Sequence, residues 1–198
     1  MKKIIPSTWL LVIAILSFSC DKQDDESTTI LPKVEATMER SFHYLESAEE
    51  EKVVYSLSLR EMQLLSDDQK LQIDFAPARP AANDALVFSI NQSDLLNGYI
   101  GTYPIRSLSN NKKGRADITY YHYYNKTSKS ALFSSGNRME GKIEISAYNA
   151  ATGLANGSFE VTISNVTDPT SYESKPEKPR KCNITLSGKF NNLKLVNP

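Results

Sequence analysis

The sequence predicts an all-β protein, a single antiparallel β-sandwich or strongly curved barrel of about ten strands. Three observations point there. From Val34 onward apolar and polar residues alternate with a period of two, the pattern of strands with one buried and one wet face. Helical periodicity is nearly absent. Turn-forming residues, among them Asn97-Gly98, Gly136-Asn137, Gly153 and Asn156-Gly157, punctuate the alternating runs in the manner of antiparallel hairpins.

The first segment is of a different kind. Lys2 and Lys3, an apolar stretch from Trp9 to Phe18, and the small residues Ser17 and Ser19 ahead of Cys20 make the three parts of an export leader. The apolar stretch is about half of the roughly 20 residues a membrane-crossing helix needs, so residues 1–19 read as a signal segment that is removed. The run Leu16-Ser17-Phe18-Ser19-Cys20 resembles a bacterial lipoprotein processing site, with the aliphatic Leu16 one place further back than usual. That resemblance implies that Cys20 is acylated and becomes the new N-terminus. The alternative is ordinary cleavage near Ser19, which leaves Cys20 a free thiol.

Residues 20–33 follow as a tether. Asp21, Asp24, Asp25 and Glu26 stand among Lys22, Gln23, Ser27, Thr28 and Thr29, with too little apolar surface to fold. The stretch also resembles the acidic export signal behind the lipidated cysteine of surface-exposed lipoproteins in the Bacteroidota, which implies an outer-membrane anchor facing outward. Under the sorting rule of enteric bacteria, Asp21 directly after the cysteine implies retention in the inner membrane instead. A position on the periplasmic face is the third option.

The β domain occupies 34–198. Val34, Ala36, Met38, Phe42 and Tyr44 alternate with Glu35, Thr37, Glu39, Ser41 and His43, and only Arg40 breaks the apolar side. Past the charged Glu49-Glu50-Glu51-Lys52 turn, Val53, Tyr55, Leu57 and Leu59 form a second run, and Leu71, Ile73 and Phe75 a third. Pro77 to Pro80 is a break; Leu86, Phe88 and Ile90 make the next strand, and Tyr99 to Ile105 another. Asn110 to Gly114 is a polar loop before the aromatic strand Ile118 to Tyr124. Gly141 to Asn149 reads as a strand, with Ser158 to Ile163 its return. Thr167 to Lys181, carrying three prolines among charged residues, is expected to be an exposed loop. Cys182, Ile184 and Leu186 then share a face, and Gly188 to Leu195 closes the domain. Gly141-x-Ile143-x-Ile145, Gly157-Ser158-Phe159 and Ile184-x-Leu186-x-Gly188-Lys189-Phe190 resemble the closing hairpins of small β-rich Bacteroidota surface lipoproteins with no assigned function. The resemblance implies the same fold class and no active site.

Composition excludes some functions. The chain carries 23 basic and 23 acidic residues, so it lacks the positive field of a nucleic-acid binder. With Cys20 acylated, Cys182 has no disulfide partner and reads as a small core hydrophobe. His43, His122 and Cys182 are scattered singly, unlike the paired ligands of structural zinc, and no cofactor motif occurs. Glu140, Glu144, Glu160 and Asp117 lie in or beside strands, where paired carboxylates could hydrolyse glycosides; alternating acids on a wet face are the ordinary alternative.

Tyr120-Tyr121-His122-Tyr123-Tyr124 carries the remaining signal. Period two puts Tyr120, His122 and Tyr124 on one face and Tyr121 with Tyr123 on the other, so one aromatic pair should meet water. Rings with polar tips suit glycan or protein contacts, and tyrosines also favour strands for cross-strand packing alone. Three function classes follow: a non-catalytic surface-binding lipoprotein using Tyr121, Tyr123 and the 167–181 loop; a lipocalin-like carrier of a small apolar ligand; and a carbohydrate-active hydrolase. Partner identity and oligomeric state are open at this point.

Overall fold

The alternation seen in the sequence becomes two antiparallel sheets whose inner faces supply the core. The structure, a computed structural model, describes residues 33–56, 62–65, 69–76, 83–124, 128–171 and 178–196. Cys20, the processing residues Leu16, Ser17, Phe18 and Ser19, the acidic Asp21, Asp24, Asp25 and Glu26, and the Pro77–Pro80 break lie outside the described residues. Among those described are eleven strands: β1 (Glu35–Tyr44), β2 (Glu50–Ser56), β3 (Met62–Leu65), β4 (Lys70–Phe75), β5 (Asp84–Asn91), β6 (Gly101–Pro104), β7 (Ala116–Tyr123), β8 (Lys129–Phe133), β9 (Met139–Asn149), β10 (Leu154–Thr167) and β11 (Lys181–Val196). No helix among the described residues is long and apolar enough to cross a membrane.

One sheet runs β6-β9-β10-β11-β1-β2 and the other β3-β4-β5-β7-β8. They meet where the end of β11, Leu195 and Val196, pairs in parallel with Met62 and Gln63 of β3. A lone parallel bridge between Ile105 and Ala116 touches the opposite corner, and the architecture is an open sandwich, not a closed barrel. Of the two expected architectures, this is the first.

The layers are locked by four phenylalanines. Phe75 and Phe88 project from β4 and β5, Phe159 and Phe190 from β10 and β11, and all are buried. Phe75 lies 4.4 Å from Phe159 and 5.6 Å from Phe190, ring centre to ring centre, and Phe88 lies 5.6 Å from Phe159. Tilted packing of this kind avoids stacking like-charged ring faces while filling the interior.

Four expectations need correction. The charged Glu49-Glu50-Glu51-Lys52 stretch is not a turn, since Glu50, Glu51 and Lys52 open β2 and pair with His43, Phe42 and Ser41 of β1. Asn156-Gly157 is not a turn: it lies inside β10 at a register shift against both β9 and β11, and Asn156 accepts a hydrogen bond from the backbone N–H of Asn192 at 2.8 Å. Turn-forming residues also serve bulges, which re-aim a strand without ending it. The runs Cys182 to Leu186 and Gly188 to Leu195 are not separate: both belong to one continuous 16-residue strand, β11, with Gly188 inside it. In the 167–181 segment, Lys178 and Pro179 are exposed as expected, but Asp168 and Pro169 are buried. Asp168 turns back into its own loop, accepting from the Thr170 N–H and hydroxyl at 2.8 and 2.7 Å and from the Tyr44 hydroxyl at 3.3 Å.

Candidate functional site

Strand β7 sorts its aromatic run as parity requires. Tyr120 and His122 point inward and are buried, whereas Tyr121 and Tyr123 are half-buried on the outer face. The outer rings sit 6.0 Å apart with a 35° tilt, which makes one broken platform. Their ladder partners on β8 are Ala131 and Lys129, and Phe133 stands opposite Thr119. The Lys129 ammonium lies over Tyr121, 4.1 Å from the ring centre, and 5.5 Å from that of Tyr123. Phe133 is 50% exposed. On the other side β5 places the buried Ala85 beside Tyr121 and the half-buried Val87 beside Thr119.

The inward residues of the same strand build something the sequence reading missed. Asp84, 1% exposed at the start of β5, receives four polar partners. Its Oδ1 accepts from the Tyr120 hydroxyl and faces His122 Nδ1 at 2.9 Å; its Oδ2 accepts from Arg40 Nε at 3.1 Å and from the Tyr55 hydroxyl. Arg40 is 4% exposed, and its Nη1 reaches Glu51 at 2.8 Å. Its guanidinium also lies over the Phe42 ring at 3.9 Å. Strands β1 and β2 of one sheet are thereby tied to β5 and β7 of the other.

Burial pushes the Asp84 carboxyl upward, but the hydrogen bond from His122, the charge of Arg40 and the two tyrosine hydroxyls outweigh it and hold it at about 2. Burial and the neighbouring carboxylate push Tyr55 up to about 12 and Tyr120 well above its ordinary value. A carboxylate has about four acceptor positions, and all are taken here. Asp84 is therefore committed to the fold.

A Ser-His-Asp set is adjacent in the ladder without being assembled. Ser130 pairs with His122 across β7 and β8, and its buried Oγ makes no hydrogen bond among the described residues, His122 included. Nucleophilic catalysis needs that bond, or one close to forming.

The acids considered for hydrolysis separate. Glu140, Glu144 and Glu160 share the outer face of the β9-β10 pair, where Lys142 sits 3.9 Å from Glu144 and 3.7 Å from Glu160. Glu140 and Glu160 border an open groove of about 270 Å³ together with Thr162, Thr185 and Ser187. Asp117 belongs to the other sheet and is bound by Arg106 at 3.0 Å, which also holds Asp94. Of the two histidines, His43 is partly exposed on β1 and His122 is buried; no group of acids, histidines and cysteines that could hold a metal occurs among the described residues. Cys182 is fully buried, and burial pushes its thiol up to about 12, so it behaves as the core hydrophobe its parity indicates.

Set against family models, curated proteins and solved structures, the chain matches none.

Proposed function

We propose that this chain is a lipid-anchored, non-catalytic binding domain held at the outer membrane through Cys20 and exposed at the cell surface, contacting a glycan or protein through the outer face of β7 and β8. The observation that carries this reading is the Tyr121-Tyr123 platform, half-exposed beside Phe133 on a face that the core does not need. The sandwich interior is filled by Phe75, Phe88, Phe159 and Phe190, which favours surface contact over a carrier's enclosed ligand.

Two measurements test the reading. Tyr121→Ala with Tyr123→Ala is expected to reduce binding of the protein to immobilised polysaccharides and extracellular proteins by about tenfold or more, from stacking worth about 0.5–1.5 kcal/mol per ring. The melting temperature should move by only a few degrees, because both rings lie outside the core. Binding that survives both substitutions unchanged would refute the site. For the anchor, Cys20→Ser is expected to shift the exported protein from the membrane pellet to the soluble fraction, since acyl chains hold it by about 0.8 kcal/mol per buried methylene. If C20S still pelleted with membranes, the lipid reading would fall.

A further inference from the structure

We infer that the β7-β8 face takes an acidic polysaccharide, with sugar rings packed on Tyr121 and Tyr123 and their carboxylate or sulfate groups paired with Lys129. The inference rests on the binding role proposed above and adds the ligand's charge and chemistry. Two independent observations carry it, one from side-chain geometry and one from charge distribution.

The geometry concerns Lys129. Its ammonium stands over the Tyr121 ring, and no carboxylate lies within ion-pair distance of it among the described residues. An ammonium held over one ring of an aromatic pair, with no carboxylate beside it, offers an anion a partner that is already held in place. A pyranose supplies the complement: its C–H face is apolar and weakly positive and packs on the negative face of an aromatic ring, while an acidic substituent projects sideways.

The charge distribution is seen in the absence of acids around Lys129. In a chain with equal numbers of acids and bases, the stretch from Ile118 to Met139 contains no aspartate or glutamate, and the lysine that its described strand residues carry is Lys129. The carboxylates nearest in the ladder on this face are Asp74, on β4 in the same row as Val87, Thr119 and Phe133, and Asp117, which Arg106 binds. Among the described residues, Lys129 is thus the cation beside the exposed rings, with no acid next to it in β7 or β8 beyond Asp117. A nucleic-acid strand would require cations tracking its backbone, and here a single lysine overlies the platform.

The test is affinity electrophoresis of the full-length protein in gels containing neutral dextran, dextran sulfate or alginate, with a single-stranded oligonucleotide as a third polyanion. Wild type should be retarded by dextran sulfate and alginate and hardly at all by dextran. Lys129→Met should weaken retardation by the acidic polymers about tenfold, as expected for loss of one charge-assisted hydrogen bond, and Lys129→Arg should restore it. Tyr121→Ala with Tyr123→Ala should abolish it, with far-ultraviolet circular dichroism unchanged in all variants. Equal retardation by dextran and dextran sulfate, an unaffected Lys129→Met, or no retardation by either acidic polymer would overturn the acidic ligand and leave the aromatic platform standing. Loss on Lys129→Met with no loss on removing the tyrosines would overturn both, since charge alone would then account for binding. Oligonucleotide binding as tight as that of dextran sulfate would overturn the sugar assignment.

Discussion

Asp84→Ala is expected to destabilise the domain by about 3–5 kcal/mol, the range for breaking a buried ion pair by removing one partner. The substitution leaves Arg40 inside the sandwich with only the half-exposed Glu51 to balance it, and it strips the acceptor from Tyr55, Tyr120 and His122 together. Asp84→Asn should cost nearly as much, because an amide places its own donor among groups that already donate. Replacing both charges, Arg40→Met with Asp84→Leu, should cost less than the sum of the single changes, since the uncompensated charge disappears with its partner. Urea denaturation of the single and double variants measures these differences, and a loss under about 1 kcal/mol for Asp84→Ala would contradict the clamp. Acid provides a second readout. Asp84 is held at about 2 in the folded protein against an ordinary value of 3.8, so the unfolded chain takes up the proton first as pH falls. Its contribution, on the order of 2 kcal/mol, is complete above about pH 4 and is lost as pH drops toward 2. The stability gap between wild type and Asp84→Ala should therefore narrow across that window and stay constant at higher pH.

This clamp was half-written in the alternation. Arg40 falls on the inward side of β1 among Met38 and Phe42, Asp84 is in phase with Leu86, Phe88 and Ile90, and His122 is in phase with Ile118 and Tyr120. Each is a polar residue at an apolar position, and burying such groups is costly unless they meet. Period two therefore flags all three. That they converge depends on which strands face one another across the sandwich, which is a tertiary fact with no local signal. The outer site divides the same way: the outward direction of Tyr121 and Tyr123 follows from parity, but Lys129 and Phe133 reach that face through β8, whose inward residues include the polar Ser130 and whose alternation is correspondingly faint. Asn156-Gly157 shows the opposite failure. Its local chemistry is that of a turn, and only the pairing of β10 with both neighbours turns it into a bulge.

The glycine recurrence in the C-terminal strands has a packing cause, and it leads to the second large effect. Gly157 pairs with Phe190 and Phe159 pairs with Gly188 across β10 and β11, so each ring lies over the glycine opposite. A Cβ on Gly188 would fall 2.3 Å from the Thr37 carbonyl oxygen and 2.4 Å from the Phe159 ring; one on Gly157 would fall 2.1 Å from the Glu144 carbonyl oxygen and 2.4 Å from the Phe190 ring. The rings can reach Phe75 and Phe88 only because these two positions have no side chain. Phe159→Ala removes the ring that touches both phenylalanines of the opposite sheet and uncovers Gly188, and it should cost about 3–5 kcal/mol, as large-to-small core changes do. Gly188→Ala should cost about 1–3 kcal/mol or more, because its clash is partly with backbone, which cannot rotate away. The combination Gly188→Ala with Phe159→Leu distinguishes the two obstacles: a smaller side chain relieves the ring clash but not the carbonyl clash, so only partial recovery over Gly188→Ala is expected. Thermal and urea denaturation give the three values. Full recovery would show that the ring alone demands glycine at 188, and a Phe159→Ala loss below about 1.5 kcal/mol would show that the four-ring contact is not what holds the sheets together.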